Sequence, residues 1–138
     1  MSDRKFVPSL SELIDRLSID QLKEVLLPEY KDKYAAEMQD IMHDIDSEIS
    51  DNKVVINSRL IRAIIIVAQL NAHIWYNESA ARKGEIQDLN LLILTHGLNG
   101  LRQQYKNIIL NEIGALKGFD YKTDCLAAEF KGWEISLK

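Results

Sequence analysis

The chain has 138 residues, of which 46% are hydrophobic and 28% charged, enough apolar material for one core in one domain of ordinary length. A formal net charge of −4 argues against nonspecific nucleic-acid binding, which needs a basic surface. The single cysteine, Cys125, excludes an internal disulfide and fits a reducing compartment, and the charged opening MSDRKFVPSL carries no apolar targeting segment, so a cytoplasmic location is expected.

Residues 1–8 read as a loose arm. Ser9 followed by Glu12 has the capping-box spacing, which starts a helix whose apolar side is Leu10, Leu13, Ile14 and Leu17. Ser18 followed by Gln21 repeats that spacing, predicting a break and a second short helix from Ile19 to Leu27. Pro28 has no amide proton to donate, so it opens the next helix more readily than it continues the last. From Pro28 to Ser50 the pattern is amphipathic, with Tyr34, Met38, Ile41, Ile45 and Ile49 inward and Ala35 and Met42 beside them. Asp51, Asn52 and Lys53 end this helix, and Val54 to Ile56 lead on in extended form to an N-cap at Asn57 or Ser58.

The stretch from Asn57 to Gly84 is the longest apolar run. Leu60, Ile64, Val67, Asn71, Ile74 and Glu78 share one helical face, and Ile61, Ile65, Ala68, Ala72, Trp75 and Ser79 form a second beside it. A helix apolar over most of its circumference is expected in the middle of a bundle. Its uncharged part, Ala63 to Asn77, falls short of the ~20 residues of a membrane span. Gly84 stops it, and Asp88 can cap a last long helix reaching to about Leu116. There Leu91, Leu94, Leu98, Leu101, Tyr105 and Ile108 keep a heptad spacing, while Ile93, Gly97 and Gly100 form a smooth side suited to close backbone approach. Gly114 and Gly118 fray its end. Residues 119–138 hold Phe119, Tyr121, Phe130 and Trp133, with a cap for a short helix at Thr123; so aromatic a tail is expected to dock on its own bundle or on a neighbouring subunit. The expected fold is all-α: one domain over 1–138, with three long helices, short N-terminal helices and a docked C-terminal tail. Its apolar surface exceeds what one small bundle covers, which points to a homo-oligomer without membrane contact.

Chemistry is signalled weakly. Glu37, Asp40 and His43 lie three apart, the carboxylate-x-x-His spacing of di-iron bundles, but no second motif of that kind follows. Glu37-x-x-Asp40 also resembles half of the paired acidic motif with which all-helical pyrophosphohydrolases of the MazG and dimeric dUTPase type hold magnesium or manganese. The other half would have to come from Glu78 alone. Glu37, Asp40 and Glu78 are therefore the catalytic residues of an alternative reading, with Glu37, Asp40 and His43 its metal ligands. Cys125 has no neighbouring histidine, and no phosphate-binding glycine loop or nucleophile elbow occurs, so covalent catalysis has no support.

The leading reading is a non-enzymatic binding protein. Leu13 to Lys23 (LIDRLSIDQLK) is followed by an LN-x-x-IW-x-x-E-x-x-x-R element at Leu70, Asn71, Ile74, Trp75, Glu78 and Arg82, and by LN-x-x-R at Leu98, Asn99 and Arg102. In these elements the chain resembles the DUF4254-like family of bacterial and phage proteins of unknown function. The resemblance implies a helical bundle, possible phage origin, and one polar cluster of Asp15, Arg16, Asn71, Trp75, Glu78, Asn99 and Arg102. Arg16, Arg82 and Arg102 would contact a small anionic, nucleotide-like ligand, with Trp75 as a stacking face and Asn71, Glu78 and Asn99 beside them. A protein partner is the other expected occupant of this surface, and no cofactor is required by this reading.

Overall fold

The computed structural model describes residues 8–82, 89–113 and 133–137. Four α-helices carry most of them: α1 (Leu10–Leu26), α2 (Lys31–Asp51), α3 (Ser58–Arg82) and α4 (Leu89–Glu112). No strand occurs among the described residues, so the fold is all-α, and no described helix is long and apolar enough to cross a membrane. Gly84, Asp88, Gly114, Gly118, Cys125 and the tail aromatics Phe119, Tyr121 and Phe130 lie outside the described residues, as do Thr123 and the side chains of Arg82 and Leu91.

Two compact units are formed, Met1–Val55 and Ile56–Lys138. Within these units the long helices pair, α1 with α2 and α3 with α4. In the first unit, Ser9 caps α1 by accepting the amide of Glu12 at 3.3 Å. The expected break at Ser18 does not occur. Its hydroxyl donates to the carbonyl of Asp15 at 2.8 Å, and Gln21 donates to Glu24 at 3.0 Å, so both side chains serve one unbroken helix. Pro28 opens a single 3-10 turn, Pro28–Tyr30, that feeds directly into α2.

The two helices run antiparallel. Lys23, late in α1, places its ammonium 5.4 Å from the ring of Tyr34, early in α2. Leu10, Leu13, Ile14, Met38 and Ile41 are buried, while Tyr34, Ile45 and Ile49 are half-buried. Met42, expected beside the inward face, is largely exposed. Lys53 takes a left-handed φ of 51° just after the end of α2, and Asn52 closes that end by donating to the Glu48 carbonyl and carboxylate.

In the second unit Asn57 is the N-cap of α3, its side-chain Oδ1 accepting the backbone amide of Leu60 at 2.8 Å. The buried seam is Leu60, Ala63, Ile66, Val67, Leu70, Asn71 and Ile74 on α3, and Leu98, Leu101, Tyr105 and Ile109 on α4. Ile109 takes the place at the end of the seam expected of Ile108, which is half-buried. Gly97 is buried and Gly100 half-buried, whereas Ile93 is exposed. Asn57 and Arg59, at the start of α3, meet the carboxylate of Glu112 at the end of α4, at 3.3 and 3.2 Å, so this pair is antiparallel too. On the second face of α3 Ile61 is 48% exposed and Ile65 60%, whereas Ala68, Ala72, Trp75 and Ser79 are half-buried; Tyr76, outside that face, is 59% exposed.

Candidate functional site

Asn71 is the one polar residue in the buried seam of α3. Asn99 and Arg102 stand three apart on α4 and therefore share a face. The Arg102 guanidinium bridges them, donating through Nη1 to Oδ1 of Asn71 at 2.8 Å and through Nη2 to Oδ1 of Asn99 at 2.7 Å. Asn99 is itself oriented by its amide nitrogen, which donates to the Thr95 carbonyl at 3.0 Å and turns its oxygen to the arginine. The two Leu-Asn elements read from the sequence thus deliver their asparagines to one guanidinium. Both acceptors are neutral, and among the described residues Arg102 forms no ion pair with a carboxylate. The result is a half-buried positive charge held in place by two amide oxygens.

The other residues expected in this cluster are distributed over both units. Trp75 is half-buried one turn beyond Asn71, and Glu78 is exposed. Arg16 is exposed on α1 in the other unit, and Asp15 is buried there. The acidic face of α2 presents Glu37, Asp40 and His43 exposed, and among the described residues no group of three or more metal-ligating side chains converges.

Two further features lie outside this cluster, and only the first, at Asp20, has no counterpart in the sequence reading. Asp20 on α1 is only 5% exposed, and its Oδ2 is buried with no hydrogen-bond partner among the described residues. Burial raises its pKa above the ordinary value, and the neighbouring Glu37 carboxylate of α2 raises it further, against smaller opposing effects of Lys23 and Arg16. The other feature is the segment 133–137, which lies against the second unit. Leu137 is buried and its carbonyl accepts the Tyr105 hydroxyl at 2.9 Å. Ser136 accepts from Arg62 at 2.7 Å, and Trp133 meets His73 edge-on, with centroids 4.7 Å apart. Between this segment and α3 lies an open cleft of about 590 Å³. Burial raises the Tyr105 pKa above its ordinary value, partly offset by Arg62.

No protein-family model, no curated protein and no solved structure matches the chain. The functional reading therefore rests on geometry.

Proposed function

We propose that this is a non-enzymatic binding protein that holds a small anionic ligand at Arg102, Asn71 and Asn99. The observation that carries the reading is the guanidinium fixed by two neutral oxygens. A positive charge with no carboxylate partner among the described residues, and with donor positions left over from its five N–H groups, is a preorganised receptor for a carboxylate or phosphate oxygen. The kinship with DUF4254-like proteins belongs to the same proposal, since its Leu-Asn elements supply both asparagines. So does the homo-oligomer, for which the exposed Ile61 and Tyr76 offer apolar surface.

A thermal-shift screen of inorganic phosphate and nucleotides, each with and without magnesium or manganese, tests the reading. Stabilisation that is independent of metal and lost in Arg102→Gln supports it. Stabilisation that requires metal and is lost on replacing Glu37 and Asp40 would establish the hydrolase instead. The exposure of Glu37, Asp40 and Glu78 favours the binding reading, because general acid–base groups work in sites that restrict water.

A further inference from the structure

The cleft between α3 and residues 133–136 has a directional chemistry. Arg62 stands at one end, and the edge-on pair His73 and Trp133 at the other. These ends are eleven residues apart on α3, about 16 Å along the axis at 1.5 Å per residue, part of which the arginine side chain itself spans. Between them the lining includes Ile65 and Ile66 on the helix and Ile135 on the opposite wall. A volume of about 590 Å³ lies within the range of small-ligand sites. Arg62 makes one hydrogen bond among the described residues, to Ser136, which orients the guanidinium and leaves further N–H donors for an anion.

We infer that this cleft is a second ligand site, separate from Arg102, for an arylalkyl monocarboxylate. Its ring rests against Trp133 and His73, its methylenes lie over the isoleucines, and its carboxylate is received by Arg62. Among the described residues the cleft lining holds one arginine, Arg62, and no lysine, which matches a single carboxylate better than a polyanion such as a nucleoside triphosphate. The apolar middle disfavours a bare inorganic anion, which would gain nothing from the isoleucines.

The test is a titration of the full chain with 4-phenylbutyrate, followed by NMR at the indole N–H groups, with Trp75 as internal reference. The expected result is a saturable shift of the Trp133 indole with Trp75 unmoved. Butyrate, 4-phenyl-1-butanol and ATP should each act on Trp133 at least about tenfold more weakly, because each lacks the ring, the single charge or the apolar chain. Arg62 is exposed, so its replacement leaves the core intact; Arg62→Gln should weaken binding about tenfold and Arg62→Lys should restore part of it. Equal binding of the neutral alcohol, unchanged affinity in Arg62→Gln, or an unmoved Trp133 would overturn the inference. Because the readout is local to Trp133, failure here is distinct from failure at Arg102.

Discussion

Asp20 and Arg102 are both charged residues removed from water, and the fold treats them oppositely. Arg102 is given two oxygens; Asp20 is left, among the described residues, with one oxygen unpartnered and a second carboxylate nearby. Its raised folded-state pKa means that the native chain binds a proton more tightly than the unfolded chain. The contribution of Asp20 is therefore fully favourable below its ordinary value of 3.8 and is lost as pH rises through the raised folded value. Asp20→Asn should consequently raise the melting temperature at pH 7 and change it little below pH ~3.5, as measured by thermal unfolding across pH. A variant less stable at neutral pH would show that the charged form is stabilised by groups other than Lys23 and Arg16. Arg102→Gln removes the donor of a buried asparagine oxygen and should cost about 1–3 kcal/mol in denaturant unfolding. Asn71 was legible as special because a polar side chain inside an apolar period stands out. Asp20 was not: in the run SIDQLK it looks like any surface acid, and only the pairing of α1 with α2 brings Glu37 to it.

At the scale of the helices, starts were more legible than stops. Ser9 and Asn57 cap α1 and α3 as their sequence contexts require, because the cap hydrogen bond is local and needs no tertiary information. Replacing either with alanine should lower stability by about 1 kcal/mol, read from denaturant midpoints. Ser18 shows the limit of the same reasoning. An identical spacing is overruled by the helix already running through it, because the Ser18 hydroxyl bonds back to the Asp15 carbonyl inside α1 instead of capping a new start. Gly97 is buried in α4, so a larger side chain there must displace the groups that cover it. Gly97→Leu should destabilise by about 1–3 kcal/mol through overpacking, although leucine is the better helix former by propensity. A stabilised Gly97→Leu variant would show that backbone approach is not what the glycine serves.

At the scale of the molecule, helical class followed from the 3.6-residue period, but partner choice did not. Four amphipathic helices of similar length can pair in several ways, and periodicity fixes which face is apolar without naming what covers it. That ambiguity extends to α3, on which Ile61 and Tyr76 retain about half or more of their exposure. These side chains are the reason to expect self-association. Light scattering at micromolar concentration should give a mass above the 15.8 kDa of one chain, and Ile61→Asp should return it to that mass. The central claim, however, concerns the guanidinium between two asparagines. Its most direct test is the Arg102 Nε–H resonance, observed by NMR while inorganic phosphate is added. A saturable shift that is confined to Arg102 and the Asn71 and Asn99 side-chain amides is the predicted result; resonances that stay fixed at saturating phosphate, while other arginines move equally or not at all, would contradict it.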